Sequence, residues 1–488
     1  MGKSTSDNFI HGISVQTIVS LANAVLQIVV FAILSRLLSK TDFGYYAALM
    51  GITMVFMGIS DAGIGAAVIQ KKNPSNGFYY TAFTISLIVG ISVGLVFFIG
   101  SPFIASLIID QTLTAPLRWM AIPLILYSIN GYAVSVLRRQ LLFARIGCLK
   151  VCSYLFSSIL GIVIALNDGG VYSLVVLFVC DSILYTILVF CNINVPRIGI
   201  EKKEAKGVIS FGGWLTLGVI MSSIANQIDK LVLGKWLSVE RLGAYNRPSG
   251  FISNIIGQIT TIFDSVLFPV LSVYQDSRER FKDLLYRSFS LLSTAGIILA
   301  VTLFFNSRMI ILIFFGEQWL NMVVVLRIAS LSAIFMLNNT LADCFFRSFN
   351  LVKQGFFIRF IGLALSLAFL YLGAQYDIIG VAVAVLLSNF IVVVIKLVFL
   401  CSKSGANLTI MAFQGVRAII PSLPILILGL LFEILPDSLL YIIVEGVLFF
   451  LVLLIELLRY PDFVGQDYKL LIFSKIEVYV NKIMPHKF

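Results

Sequence analysis

Residues Asn226–Pro248 read NQIDKLVLGKWLSVERLGAYNRP, and this stretch has a partner near the start of the chain. The partner, Leu34–Tyr46, reads LSRLLSKTDFGYY. Aligned at a shift of 199 residues, the two passages share a basic position, a turn and a glycine-aromatic ending. The matched pairs are Leu34 with Leu233, Arg36 with Lys235, Leu38 with Leu237, Ser39 with Ser238, Gly44 with Gly243 and Tyr46 with Tyr245.

A second passage repeats in the same order, at a shift of 209 residues. Its matched pairs are Leu117 with Leu326, Arg118 with Arg327, Ile125 with Ile334, Asn130 with Asn339, Ala133 with Ala342 and Arg138 with Arg347. Two ordered matches, each with a basic residue, predict a duplicated chain. An internal repeat of this kind decides the architecture.

The composition predicts a membrane protein. The chain of 488 residues is 59% hydrophobic and 12% charged, with a mean hydropathy of +1.01. Soluble domains are roughly 45–50% apolar and about 25% charged. An apolar surface of this extent needs lipid to cover it, so we expect a multi-pass protein.

Apolar runs of spanning length predict fourteen transmembrane helices. They cover residues 13–34, 44–69, 78–99, 116–137, 150–166, 171–191, 211–234, 250–272, 284–305, 321–345, 356–374, 378–400, 416–435 and 440–458.

The basic residues predict the orientation. With the N-terminus placed in the cytoplasm, 25 of the 35 Lys and Arg residues fall on the inner side. Basic residues are retained on that side, so both termini are predicted to be cytoplasmic. The net charge of +11 is then explained by topology and by contact with anionic lipid. Nucleic-acid binding is not required.

The predicted fold is an all-α integral membrane protein with two six-helix repeats and two extra C-terminal helices. Residues 1–200 form the N-lobe, residues 201–404 the C-lobe, and residues 405–488 the last two helices with a cytoplasmic tail. Because each repeat contains an even number of spans, both copies have the same orientation. They are therefore expected to be related by an axis along the membrane normal.

The sequence contains few residues suited to catalysis or metal binding. Six cysteines lie in or beside apolar runs, and the two histidines lie near the termini. We find no metal-ligand spacing, no phosphate-binding glycine loop and no nucleophile paired with a base. We therefore expect no cofactor, no metal and no enzyme. A membrane-embedded glycosyltransferase or polymerase is disfavoured because it needs an acid/base site and room for a larger outer domain.

Basic residues at membrane depth are the main candidates for a site. Such residues are costly in lipid and usually face a cavity or one another. Arg118 and Arg327 are predicted near the outer ends of helices, and Arg36 and Lys235 at helix ends. As two pairs of repeat mates, they could provide a basic lining for an anionic head group, since Arg suits bidentate phosphate contact. The alternative is snorkelling to the outer interface.

Acidic residues within the spans are candidates for ion coupling or for structural pairing. Asp229 and Asp61 are the candidates for binding a coupling cation or proton. Asp61 lies in a run that contains Gly58, Gly63 and Gly65, which predicts either a bend or close helix packing. Asp343 precedes Arg347 by one helical turn, so these two are expected to form a local ion pair.

Several motifs together resemble one known family. They are SRLLSKTDFGYY at 35–46, GIGAAVIQKK at 63–72, LRRQLLFAR at 137–145 and the stretch that ends at Pro248. Their order is similar to that of the polysaccharide-export branch of the MOP exporter superfamily, in particular the Wzx-like O-unit and colanic-acid-type flippases.

The resemblance implies a multi-pass protein of the bacterial cytoplasmic (inner) membrane that moves undecaprenyl-pyrophosphate-linked oligosaccharide from the inner to the outer leaflet. It implies alternating access between two lobes, with Arg118 and Arg327 as contacts for the pyrophosphate. The lipid-linked oligosaccharide and membrane lipids would be its partners, with polysaccharide polymerase machinery as a further one. A cation-coupled drug antiporter of the same superfamily is the alternative, and it would need carboxylates rather than arginines in the cavity.

Overall fold

The computed structural model describes residues 22–432 except 62, 72–73, 109, 141, 274–277 and 350, together with the single residues 19, 447 and 451. The described chain is built from helices and contains no strand, which confirms the all-α prediction. The helices are α1 Ala22–Leu37, α2 Lys40–Asp61, α3 Ile64–Gln70, α4 Asn76–Ile108, α5 Thr114–Arg139, α6 Phe143–Leu166, α7 Val171–Phe190, α8 Lys202–Trp236, α9 Val239–Val273, α10 Arg278–Phe305, α11 Ser307–Phe314, α12 Val323–Ser348, α13 Val352–Ala374, α14 Asp377–Ser404, α15 Leu408–Arg417 and α16 Leu423–Phe432.

Ten helical segments of the described chain are long and apolar enough to cross a membrane, so the protein is a multi-pass membrane protein. They match the second to sixth and the ninth to thirteenth predicted spans. The first predicted span overlaps the shorter α1, and the seventh and eighth fall within α8 and α9. The last, 440–458, lies outside the described residues apart from 447 and 451. The total of fourteen stays a prediction.

The second predicted span is interrupted between α2 and α3, at the glycines that predicted a bend. Gly63 has φ 61°, in the left-handed region that favours glycine, and it separates α2 from α3. The neighbouring glycines permit close packing. A Cβ on Gly58 would lie 2.6 Å from Ser223 Oγ, and one on Gly65 would lie 2.9 Å from the carbonyl oxygen of Gly131. The glycine run therefore serves both the bend and helix packing.

The described chain divides into two compact units. The first comprises Met1–Gln258, Ile310–Val325 and Phe356–Ser388, and the second comprises Ile259–Met309, Leu326–Gly355 and Asn389–Phe488. The lobes at 1–200 and 201–404 are defined by the repeat rather than by compactness, and they stay a prediction.

The first unit contains two apolar clusters, both built from α4, α5 and α7 with one further helix. Leu49 of α2 joins Phe97, Leu124 and Val175 in one of them. In the other cluster the further helix is α3. Its buried members are Ile64, Val68, Phe78, Ala82, Phe83, Ile129, Tyr132, Ala133, Val134, Leu137 and Val189. Apolar side chains thus fill the interior, and the exposed surface of these helices is apolar as well, as a lipid-facing surface requires.

Hydrogen bonds and an ion pair between polar side chains link helices in the second unit. Asn338 of α12 donates its Nδ2 to Ser293 Oγ of α10 at 3.2 Å. Lys396 of α14 places its Nζ 2.7 Å from Asp343 Oδ1 of α12 and also donates to Asn339 Oδ1. α10 packs in addition against α15 and α16.

The ion pair of Asp343 differs from the expected one. Its carboxylate pairs with Lys396, whereas Arg347 donates its Nε to the backbone carbonyl of Asp343 at 3.3 Å. Lys396 comes from another helix and is 1% exposed. A local spacing of one helical turn could not reveal a partner that packing brings from 53 residues away.

Candidate functional site

The end of α1 is the centre of a polar cluster in the first unit. Ser35 is buried, and its carbonyl oxygen accepts from Gln318 Nε2 at 2.6 Å and from Trp319 Nε1 at 3.1 Å. The last four carbonyl groups of a helix have no partner within the helix, so they need donors from elsewhere. Two side chains from the segment after α11 satisfy the carbonyl of Ser35.

Arg36 lies beside this carbonyl at the surface. Its Nη2 donates to the carbonyl oxygen of Ile313 at 2.9 Å, at the end of α11. Lys40 follows at the start of α2 and donates its Nζ to Asn321 Oδ1 at 3.1 Å. The predicted head-group ligand Arg36 is therefore engaged with backbone in this structure, and its substrate role stays a prediction.

Arg247, near the start of α9, completes the cluster. Its Nη2 donates to the carbonyl oxygen of Phe31 at 3.1 Å and to Ser35 Oγ. The guanidinium carbon lies 4.0 Å from the ring centroid of Phe43, with the rings of Phe31 and Phe315 at 4.7 and 5.4 Å. We name Ser35, Arg36, Arg247, Gln318 and Trp319 the Ser35 cluster.

Aromatic rings, rather than a carboxylate, surround the guanidinium of Arg247. Among the residues that the structure describes, no carboxylate oxygen lies within 4.0 Å of Arg247. Its Nε is buried and has no hydrogen-bond partner there. Aromatic faces attract a guanidinium, most strongly where water is excluded. Arg247 is not among the basic candidates predicted from the sequence; its place in the repeated stretch, in GAYNRP, was the available signal.

The two copies of the repeated motif contact each other beside the Ser35 cluster. A Cβ on Gly243 would overlap the carbonyl oxygen of Lys40, and a Cβ on Gly44 would overlap that of Val239. Lys40 and Val239 are matched by the same shift of 199 residues as the two glycines. The contact is thus reciprocal between repeat mates, which is the geometry of a local two-fold axis. Only glycine permits this approach, which explains why both copies of the motif contain it.

The repeat mates Arg118 and Arg327 have similar surroundings, each within its own unit. Arg118 is exposed, and its guanidinium lies over the ring of Phe98 at 5.4 Å. Arg327 lies over the ring of Phe304 at 5.2 Å and donates its Nε to Ser307 Oγ at 3.1 Å. In both cases the ring belongs to the preceding long helix, α4 or α10. The predicted role in head-group binding stays a prediction for both.

The candidates for ion coupling have fewer described contacts. Asp229 accepts a hydrogen bond from the hydroxyl of the buried Tyr245 at 3.2 Å and one from the backbone of Lys230 at 2.8 Å. Asp61 ends α2 and Lys235 lies in α8, but their side chains lie outside the part of the chain that is described.

A partly buried ion pair that the sequence did not predict joins α6 and α7, with Asp181 buried and Lys150 partly exposed. Lys150 Nζ lies 2.5 Å from Asp181 Oδ2, and Ser153 donates to the other carboxylate oxygen at 2.7 Å. Lys150 also lies over the ring of Tyr185 at 5.0 Å. Both residues lie in the first unit, and each neutralises the charge of the other. This is typical of an ion pair with a structural role.

The described residues contain no group of three or more His, Cys, Asp or Glu side chains placed to hold a metal ion. All six cysteines are free.

The family model described as "Polysaccharide biosynthesis protein" matches residues 33–324 of this chain. The matched segment includes the Ser35 cluster, Arg118 and the Gly44–Gly243 contact.

Three relatives with known names are similar over most of the chain. The teichuronic acid biosynthesis protein TuaB of Bacillus subtilis (strain 168) is 24% identical, over 68% of this chain and 69% of its own length. The lipopolysaccharide biosynthesis protein WzxC of Escherichia coli (strain K12) is 22% identical, over 62% of each protein. The succinoglycan biosynthesis transport protein ExoT of Rhizobium meliloti (strain 1021) is 24% identical, over 63% of this chain and 62% of ExoT. The chain thus spans less than two thirds of the latter two relatives.

Two solved structures share the fold. The lipid II flippase MurJ in an inward closed conformation superposes with a TM-score of 0.70 and 17% identity, over 93% of this chain and 99% of MurJ. An inward-facing multidrug resistance MATE family transporter of the MOP superfamily superposes with a TM-score of 0.61 and 13% identity, over 80% of this chain and 98% of the transporter. Because the family model covers more than half of the chain, the protein belongs to the polysaccharide biosynthesis protein family.

Proposed function

We propose that this protein is a flippase for undecaprenyl-pyrophosphate-linked oligosaccharide, which it moves from the inner to the outer leaflet of the bacterial cytoplasmic membrane by alternating access. The observation that carries the proposal is the match of residues 33–324 to the polysaccharide biosynthesis family, in a chain with many apolar membrane helices. The names of the relatives support a polysaccharide intermediate as the cargo. The fold shared with a lipid II flippase agrees with this proposal.

Electrostatics defines what such a protein must provide. A pyrophosphate group is anionic, and an unpaired ion costs tens of kcal/mol in a medium of low dielectric constant. A flippase must therefore offer positive charge along the route of the head group. Charge-assisted hydrogen bonds contribute about 1.5–3 kcal/mol each, which positions a head group without trapping it.

Arg118 and Arg327 are the proposed principal contacts, with Arg36 and Lys235 as secondary ones. The Arg118 guanidinium carbon lies 5.4 Å from the centroid of the Phe98 ring, and no described carboxylate lies within 4.0 Å of it. Contact with a neutral ring leaves the positive charge of the guanidinium, and its planar set of N–H donors suits a phosphate. The similar position of Arg327 over the ring of Phe304 supports an equivalent role in the other repeat.

Asp229 and Asp61 are proposed to couple transport to a cation or proton. The contact of Asp229 with Tyr245 links a carboxylate in α8 to the repeated motif at the start of α9. Protonation of this carboxylate would change a contact between the two helices. Polysaccharide polymerase machinery is the proposed downstream partner.

The second candidate function is a cation-coupled small-molecule antiporter, which the fold shared with a MATE transporter favours. The two functions differ in cargo. An antiporter exports a soluble or amphiphilic cation, whereas the proposed flippase moves an anionic lipid.

The test uses the purified full chain in proteoliposomes that contain a fluorescent polyprenyl-pyrophosphate oligosaccharide. Flipping is measured as the fraction of lipid that becomes accessible to a membrane-impermeant quencher, with protein-free vesicles as the control. We expect protein-dependent flipping, and a polyprenyl-pyrophosphate sugar among the lipids that copurify. No flipping, combined with gradient-driven transport of a cationic dye, would favour the antiporter and refute the flippase.

A further inference from the structure

Lys396 of α14 holds a positive charge inside the second unit. Its side chain is 1% exposed, although a lysine in a membrane helix normally extends its ammonium group to the aqueous interface. Lys403, two turns later on the same helix, is exposed in that ordinary way. A buried ammonium group is costly at membrane depth unless polar partners compensate it. The ligands around the ammonium group therefore explain why Lys396 stays inside.

These ligands come from a single helix. Nζ of Lys396 lies 2.7 Å from Asp343 Oδ1 and also donates to Asn339 Oδ1. Asn339 and Asp343 are four residues apart on α12, so their side chains lie on one face of that helix. A carboxylate and an amide oxygen are the ligand types that a hard cation takes in proteins. Thus α12 supplies the oxygen ligands, and α14 supplies the cation.

The first repeat has the asparagine without the two charges. Asn130 is the repeat mate of the asparagine ligand, and its Oδ1 is buried without a hydrogen-bond partner among the residues that the structure describes. Asp343 matches Val134 at the shift of 209 residues. At the same shift Lys396 matches Ile187. Both charges are therefore present in the second repeat, and apolar residues replace both of them in the first.

The exposure of the two charges distinguishes this ion pair from the one in the first unit. In the Lys150–Asp181 pair the carboxylate is buried and the ammonium group is partly exposed. In the Lys396–Asp343 pair the ammonium group is buried, and the carboxylate is 24% exposed. The carboxylate can thus be reached without passing Lys396. A small cation could contact the oxygen ligands if the ammonium group were absent.

We propose that Asn339 and Asp343 form a binding site for a monovalent cation, and that the chain fills this site with the ammonium group of its own Lys396. The tethered group neutralises Asp343 without a cation from solution. The wild-type second unit therefore takes up no coupling cation at this position. Coupling to a cation is left to residues of the first unit, where Asp229 and Asp61 lie. This occupancy does not depend on the cargo.

The first experiment removes the tethered cation and offers a free one. Lys396→Ala leaves both ligands beside an empty space, whereas Lys396→Met loses the ammonium group but fills most of that space. Methylammonium chloride should raise the thermal unfolding temperature of purified Lys396→Ala by roughly 3 °C over choline chloride at equal ionic strength, because a ligand of the folded state stabilises it. Choline is the reference because its cation is bulky and has no N–H group. The wild type and Lys396→Met should unfold equally in both salts.

Two double variants identify the atoms that bind. The methylammonium shift should be lost in Lys396→Ala/Asp343→Asn and reduced in Lys396→Ala/Asn339→Ala. No shift in Lys396→Ala would overturn the proposal. A shift of the same size in Lys396→Met, or one that persists in full in both double variants, would also overturn it, since the cation would then bind elsewhere.

A measurement on the wild-type chain decides if Lys396→Ala does not give a monodisperse protein. Its unfolding temperature is compared in sodium chloride and choline chloride, beside that of Asn339→Ala, which keeps the ion pair but removes one ligand. We expect the same difference between the salts for both proteins, because the ammonium group already occupies the site. A sodium-dependent shift in the wild type that Asn339→Ala abolishes would refute the proposal. None of these measurements uses a lipid-linked oligosaccharide, so their outcome is separate from that of the flipping assay.

Discussion

Lys396 and Asp343 form an ion pair between α14 and α12, with Nζ 2.7 Å from Oδ1 and with Lys396 only 1% exposed. The same ammonium group also donates to Asn339, the repeat mate of Asn130. Asn130 in turn donates to Thr186 Oγ1 at 2.8 Å, between α5 and α7. Two matched asparagines thus each join two helices of their own half, one through a neutral partner and one through a charged partner.

Loss of the Lys396 ammonium should destabilise the protein. Breaking a fully buried ion pair by removing one partner costs about 3 kcal/mol, and the cost is smaller here because the Asp343 carboxylate is 24% exposed. Lys396→Met should therefore lower the thermal unfolding temperature in detergent. Lys403→Met, at the exposed end of the same helix, is the control and should have little effect. Equal unfolding temperatures for the two variants would contradict a stabilising pair.

A side chain at Gly63 should strain the break between α2 and α3. Gly63 has φ 61°, and the left-handed conformation costs an L-residue roughly 1–2 kcal/mol. Gly63→Ala should lower stability, and Gly63→Asn should lower it less. Gly250→Ala, in a helix with open space around the new Cβ, should be neutral or slightly stabilising. Chemical denaturation followed by intrinsic fluorescence compares the three.

Removal of Arg118 or Arg327 should impair flipping without impairing folding. Arg118→Ala and Arg327→Ala should each reduce flipping at least tenfold, by about 1.4 kcal/mol of lost head-group contact. Arg→Lys should keep part of the activity, since the charge remains while the bidentate geometry is lost. Arg308→Ala, an exposed arginine on the predicted outer side, should be near normal. Normal flipping by a well-expressed Arg118→Ala/Arg327→Ala variant would rule out this role.

Arg247 should be less replaceable than an ordinary surface arginine. A desolvated cation–π interaction contributes about 2 kcal/mol, and a guanidinium stacks on rings better than an ammonium group does. Arg247→Lys should lower the thermal unfolding temperature in detergent, and Arg247→Met should lower it further. The prediction fails if the lysine and methionine variants unfold at the temperature of the parent.

Accessible cysteines should establish the topology. Lys203→Cys lies in the predicted inner connection and should react with an impermeant maleimide only after cells are permeabilised. Asn321→Cys, on the predicted outer side, should react in intact cells. The reverse pattern would invert the orientation derived from the basic residues.

The sequence by itself determined the helical class, the positions of most spans and the family. The length of an apolar run is a local property, so the predicted spans between 44–69 and 378–400 coincide with helices of the structure. The sequence also predicts the repeat, because matched glycines and arginines recur at nearly constant shifts. The orientation predicted from counting charges requires no knowledge of packing, and it stays a prediction.

Only the tertiary structure decided which side chains meet. The rotation of a helix about its axis is poorly encoded when both its buried face and its lipid-facing surface are apolar. The partner of Asp343 is therefore Lys396 of another helix, although Arg347 is the nearer residue in sequence. For the same reason, the sequence did not predict the aromatic rings around Arg247. The pairing of Gly44 with Gly243 required the two copies of the motif to be brought together, and packing between distant helices decides that.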